Sequence, residues 1–190
     1  MAKKAAADPN QTNMFVSDTR PHAYTVLIHP GFQISEKVRQ LKHHLNSFVP
    51  ISESDLNSKP HITLCYKVKS YNADDLIVNQ VHEAIKGITS FDIKVDGFDF
   101  RDDGTFLLKL KDQGPIYKLI LALQQQLNVS QGETPHITIA RSLKKKALDI
   151  LPLEDFEYEP SFKCNSLTIL KQVLDPEEKT EVLLKIKFPG

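Results

Sequence analysis

Apolar and polar positions along this chain repeat with two different periods, and the switches between them mark out its elements. Ala23 to Ile28 is a β-branched and aromatic run closed by His29-Pro30-Gly31, which predicts a strand ended by a turn. Val38, Leu41, Leu45 and Phe48 then recur at helical steps, predicting an amphipathic helix with Ser35 as its N-cap and Pro50 beyond its end. Ser52 to Pro60 reads as a loop leading into a strand from His61 to Val68. A second helix is expected over Ala73 to Ile85, with Leu76, Ile77, Val81, Ala84 and Ile85 inward and Gly87 as its stop. Phe91 to Asp96 and Phe98 to Arg101 alternate with period two, and Asp103-Gly104 separates them from Thr105 to Leu110, a hairpin signal. Ile116, Leu119, Ile120, Leu123 and Leu127 form a third helical stripe, followed by a strand over Pro135 to Ala140. Lys144 to Leu148 reads as a short helix, and two closing strands, Phe162 to Val173 and Glu181 to Phe188, are joined by an Asp175-Pro176 turn.

Strand, helix, strand, helix, hairpin, helix, strand and closing strands make an α+β chain of two related halves. The expected architecture is bilobal and pseudo-twofold, with antiparallel or mixed sheets lining a central cleft and helices outside. Residues 1–19 are rich in Ala, Asp, Asn, Gln and Thr and read as a flexible tail, leaving 20–190 as a single bilobal domain. A length of 190 residues suffices for one such core.

Lys+Arg and Asp+Glu both number 24, so no global positive field gathers nucleic acid or an anionic membrane, and a polyanion must be held by a local pocket. No apolar stretch is long enough to cross a bilayer, and residues 1–20 lack the apolar segment of a leader; a soluble, cytoplasmic protein is expected, as a monomer. Cys65 and Cys164 lack zinc-site spacing and read as buried thiols.

The candidate chemistry lies in a repeat. Pro-His-Ile-Thr occurs at Pro60-His61-Ile62-Thr63 and again at Pro135-His136-Ile137-Thr138, each followed by an aliphatic residue, Leu64 or Ile139. On a strand, His61 and Thr63 share one face and Ile62 and Leu64 the other; His136 and Thr138 stand likewise against Ile137 and Ile139. Packing accounts for the apolar face but gives no reason for His and Thr to recur together. Two imidazoles with ordinary pKa values near ~6.5 can be held at neutral pH with one neutral and one protonated, as acid–base phosphoryl transfer without a metal requires. Each Thr hydroxyl can donate to a phosphate oxygen where charge builds.

Other chemistries fit less well. His22, His29, His43, His44 and His82 show no ligand spacing to either motif, so no metal site is expected; His43, His44 and His82 read as solvated helix residues. No Gly-x-Ser-x-Gly elbow, P-loop or Gly-rich dinucleotide fingerprint is present, and no cofactor is implied.

His61-Ile62-Thr63-Leu64 and His136-Ile137-Thr138-Ile139, the second continuing as Ala140-Arg141, closely resemble the paired His-x-Thr-x motifs of the 2H phosphoesterase superfamily, within it the LigT-like or 2′-5′ RNA ligase group. The resemblance spans roughly residues 22 to 188. It implies a metal-independent phosphoesterase acting on RNA ends or nucleotides, opening 2′,3′-cyclic phosphates or acting on 2′-5′ linkages. His61 and His136 would be catalytic, with Thr63, Thr138 and Arg141 binding substrate. The first motif continues as Cys65-Tyr66-Lys67, where many LigT-like members have Ala-Phe-Leu-Gly, which leaves the subgroup open. Strict alternation places Arg141 on the face of Ile137 and Ile139, so that it reaches phosphate only where the strand ends or twists. Tyr24, Tyr66 and Lys59 are further candidates for a base or a phosphate, with packing or solvation as the competing explanation. The rival function is a binding module that holds a nucleotide or RNA end in the same cleft without turnover.

Overall fold

Two four-stranded antiparallel sheets organise the molecule, and each motif strand forms one edge of its own sheet. The structure is a computed structural model that describes residues 18–189 apart from Asp112, Gln131, Glu133 and Pro176. The expected tail therefore lies outside the described residues up to position 17, as does the proline of the Asp175-Pro176 turn.

The first sheet runs in the order β2 (Ile62–Lys69), β1 (His22–Ile28), β7 (Ser166–Val173), β8 (Glu181–Lys187). The second runs β5 (Ile137–Ala140), β4 (Phe106–Leu110), β3 (Phe91–Phe100), β6 (Ser161–Cys164). Every pairing is antiparallel, which settles the choice between mixed and antiparallel sheets. The helices are α1 (Phe32–Phe48), α2 (Glu53–Asn57), α3 (Asp74–Ala84) and α4 (Gly114–Leu127). Their buried stripes are Val38, Leu41 and Leu45 on α1, Ile77 and Val81 on α3, and Ile116, Leu119, Leu123 and Leu127 on α4. Burying each such side chain contributes about 1.5–3 kcal/mol. The halves interlock: α4 packs on β2, whereas α1 and α2 pack on β5.

Several boundaries differ from the sequence pattern. Helix α1 begins at Phe32, with Gly31 rather than Ser35 at its N-cap; Ser35 Oγ instead donates to the Pro30 carbonyl at 3.1 Å. Phe48 and Leu76 are exposed, because each stands off the face its helix buries. The loop before the first motif contains α2, capped by Ser52 Oγ, which accepts from the Asp55 N–H at 3.0 Å. The short helix expected after the second motif is a 3₁₀ turn over Lys145–Asp149. The single strand expected over Phe162 to Val173 is two strands: β6 pairs with β3 in one sheet and β7 with β1 in the other, the chain crossing between sheets at Asn165.

Candidate active site

Each motif histidine stands immediately before the first ladder residue of its strand, in an X-Pro-His turn. His61 Nδ1 lies 2.8 Å from the Lys59 carbonyl, and His136 Nδ1 lies 2.7 Å from the Thr134 carbonyl. A carbonyl only accepts, so this contact places hydrogen on Nδ1 of both rings and makes Nε2 the nitrogen able to take or give a proton. A third copy of the turn, Arg20-Pro21-His22, makes the same bond at 2.7 Å, yet His22 is fully buried with Nε2 3.7 Å from Asp18 Oδ2. Holding a ring by the carbonyl two residues back is thus a local property of the turn. What distinguishes His61 and His136 is exposure: both are half-buried, whereas His22 is sealed in the interior.

Beyond the histidines the alternation runs as expected for two residues: Ile62 and Ile137 enter the core, and Thr63 and Thr138 face out of it. Then both strands bulge at the same place. Val26 pairs with Cys65 and Leu27 with Thr63, leaving Leu64 as an extra residue; Phe106 pairs with Ala140 and Leu107 with Thr138, leaving Ile139 extra. A one-residue bulge shifts the side-chain phase by one position. Leu64 and Cys65 are accordingly both buried, as are Ile139 and Ala140, and the next residue, Tyr66 within β2 or Arg141 just past the end of β5, lines the same cleft as the Thr. Arg141 thus departs from strict alternation where the strand bulges and ends, the condition under which it is expected to reach the cleft.

A cleft of about 370 Å³ is lined by Thr63 and Tyr66 from β2, by His136, Thr138 and Arg141 around β5, and by Asp103 and Thr105 from the β3–β4 turn. His61 is not among its lining side chains; it lies within electrostatic reach of Arg141, Lys42 and His29. The His29 ring stands edge-on to His61 at 6.4 Å between centroids, with His29 Nδ1 3.2 Å from the Pro60 carbonyl. Burial pulls the His61 pKa below its ordinary value; its bond to Lys59 opposes the shift, and the neighbouring His29, Arg141 and Lys42 reinforce it.

Arg141 is fixed by a residue that the sequence pattern did not single out. Asp55, 4% exposed, accepts from Arg141 Nη1 at 2.8 Å, from the Arg141 N–H at 3.1 Å and from Ser52 Oγ at 3.0 Å. Beneath it Lys42, 1% exposed, donates from Nζ to the Asp55 carbonyl at 2.7 Å, the Ser58 carbonyl at 2.8 Å and Ser58 Oγ at 2.6 Å. Burial lowers the Lys42 ammonium to about 8, against the opposing pull of Asp55. The segment entering the first motif is thus tied through α2 to the residue leaving the second. Ser52-x-x-Asp55 was the available signal, being a helix N-terminal pattern.

On the opposite side Arg101 Nη2 donates to the Thr134 carbonyl at 3.1 Å and lies 3.2 Å from His136 Nδ1. Asp103 accepts from the Thr105 N–H at 2.8 Å, and its hydrogen bonds to Thr105 hold its carboxyl below the usual range.

The remaining candidates are structural or solvated. Tyr24 is buried, its hydroxyl donating to Asp74 at 2.8 Å and accepting from the Ala73 N–H at 2.8 Å. His44 departs from the solvated expectation: it is half-buried and pairs with Asp155 at 2.9 Å, whereas His43 and His82 are exposed. Cys65 and Cys164 are free and buried, their thiols pushed up to about 12 by burial. Among the described residues no His, Cys, Asp and Glu side chains cluster as a metal site, and no helix is long and apolar enough to cross a membrane.

The sequence profile of the 2′-5′ RNA ligase superfamily matches residues 30–176. The chain belongs to that superfamily. Its fold is that of the LigT-like 2H phosphoesterases: Escherichia coli LigT in its apo form superposes with a TM-score of 0.63 at 14% identity, covering 90% of this chain and 99% of LigT. A structure described as a phosphoesterase gives 0.59 at 13%, covering 89% and 99%. A Thermus thermophilus protein gives 0.59 at 12%, covering 88% and 98%. No curated protein matches the chain. At these identities the superpositions establish the fold, and the profile match establishes the superfamily.

Proposed function

We propose that this superfamily member is an RNA-end phosphoesterase that opens 2′,3′-cyclic phosphates, working through His61 and His136 without a metal. The observation that carries the reading is the meeting of both motif strands at one cleft: Thr63 and Tyr66 line it from one side and His136, Thr138 and Arg141 from the other, with His61 within electrostatic reach of Arg141. Water attacks phosphorus while one imidazole takes its proton. The phosphorus–oxygen bond to one ribose oxygen breaks, and that oxygen takes a proton from the other ring, which enters the step as an imidazolium. The product is a ribose carrying one hydroxyl and one phosphate monoester.

Burial favours the neutral form of His61, which suits the base of the hydrolytic direction and leaves His136 as the acid. Thr63 and Thr138 hold the nonbridging oxygens, and the Arg141 guanidinium, steadied by Asp55, offsets the charge that builds on them. Tyr66, 52% exposed in the same cleft, offers its ring to the base. Structures of E. coli LigT with phosphate and with 3′-AMP support a site for phosphate and for a nucleoside monophosphate.

The test is product analysis with a panel of 2′,3′-cyclic nucleotides and 2′-5′-linked oligonucleotides in EDTA. Turnover is expected to survive chelation and to require both histidines. Loss of turnover in EDTA with recovery on adding a divalent metal would sink the mechanism. A parent protein that binds cyclic nucleotide without forming product, with the His61→Ala variant binding equally, would make this cleft a binding module.

A further inference from the structure

A second groove, of about 380 Å³, lies on the outer side of the first motif between α1 and the turn that carries His61. Its lining includes Phe32, Glu36, Arg39 and His43 from α1, with Lys59 and Pro60 opposite. Phe32, the first residue of α1, is 84% exposed. One exposed apolar side chain carries no meaning by itself, but this one borders a groove with a specific charge pattern. Arg39 and Glu36 neutralise each other across 2.6 Å. Lys59 is exposed and makes no ion pair among the described residues, so its ammonium is an uncompensated charge of the groove, whose lining also includes the exposed His43. An exposed ring next to an uncompensated cation is the combination that holds single-stranded nucleic acid: the ring stacks a base and the cation meets a phosphate.

Continuity with the reaction site gives the groove its occupant. The Lys59 carbonyl holds His61 Nδ1, and the Pro60 carbonyl lies 3.2 Å from His29 Nδ1, so the groove wall and the proposed base share one turn. Building on the phosphoesterase reading, we propose that this groove is a subsite for the penultimate nucleotide of an RNA strand, its base on Phe32 and its backbone phosphate at Lys59. The substrate is then an oligonucleotide end in preference to a free cyclic mononucleotide.

The experiment compares kcat/KM for uridine 2′,3′-cyclic phosphate with that for a trinucleotide ending in the same group, on the full chain. The parent is expected to favour the trinucleotide. Phe32→Ala is expected to reduce that preference on the order of tenfold, with mononucleotide turnover and the thermal midpoint unchanged, and Phe32→Tyr to retain it. In trinucleotide binding, Lys59→Gln is expected to lower the slope of log K against log salt by about 0.7, one phosphate contact to a single strand. A parent without preference, or a Phe32→Ala variant that loses both substrates equally or neither, overturns the subsite. If the parent turns over neither substrate, the activity reading has failed instead. The subsite is then decided by fluorescence anisotropy of a labelled trinucleotide 3′-phosphate: weaker binding by Phe32→Ala upholds it and equal binding overturns it.

Discussion

Replacing Asp55 by Ala removes a buried carboxylate from between two cations, and the structure gives the size of the effect. Three hydrogen bonds are lost, from Arg141 Nη1, the Arg141 N–H and Ser52 Oγ. The Arg141 side chain is 52% exposed and regains water, so its ion pair contributes at most about 1 kcal/mol. The part-buried Arg141 N–H loses its acceptor, a loss of about 1–3 kcal/mol. The Ser52 hydroxyl still caps the N–H of residue 55. Destabilisation of about 3 kcal/mol is therefore expected.

The pH dependence follows from Lys42. Its folded pKa, already lowered to about 8, loses the Asp55 charge that supports it while Arg141 still opposes it, so it falls further. A lysine whose folded pKa lies below its unfolded value makes the unfolded chain bind more protons, and stability from this source rises with pH between the two values. The deficit of the variant is thus expected to narrow from pH 7 to pH 9. Urea unfolding at both pH values measures this. A variant within about 0.5 kcal/mol of the parent at pH 7, the range of an ordinary surface substitution, or a deficit that widens towards pH 9, would refute the reasoning.

Further expectations concern the site and the fold. His61→Ala and His136→Ala should each lower kcat about 10²–10⁴-fold in a cyclic phosphodiesterase assay. With His61 as base and its pKa lowered by burial, the acidic limb of the pH–rate profile should fall below the ordinary histidine value of about 6.5. Gly104 has φ of +83° and a Cβ there would meet the Leu143 carbonyl oxygen at 2.5 Å, so Gly104→Ala should lower the thermal midpoint and displace the turn bearing Asp103. Cys65 and Cys164, buried with thiols pushed up to about 12, should resist a thiol reagent at pH 8 until denaturant is added.

Local pattern made much of this molecule legible. Period-two alternation separated Ile62 and Ile137 from Thr63 and Thr138, and the stripes of α1, α3 and α4 follow from their spacing. What escaped depends on partners distant in sequence. A bulge is defined by the strand opposite, so nothing within Ile137 to Arg141 reveals that Ile139 is the extra residue facing Phe106 and Leu107. Asp55 and Arg141 stand 86 positions apart, and neither has an anomalous local pattern. The split of β6 from β7 had a local trace, the polar Asn165-Ser166 step, but the sheet each part joins is set by β3 and β1.

The bulges have a consequence for the molecule among its own copies. An edge strand offers unpaired N–H and C=O groups at regular spacing, which a second chain can extend into a shared ladder. Here the four sheet edges are β2, β8, β5 and β6. Strands β2 and β5 break that spacing at Leu64 and Ile139, β8 carries a register shift opposite Ile169 and Leu170, and β6 is only four residues long. The irregularities that aim Tyr66 and Arg141 into the cleft also interrupt the open edges of β2 and β5, so the placing of the site and the avoidance of edge-to-edge aggregation draw on the same two bulges.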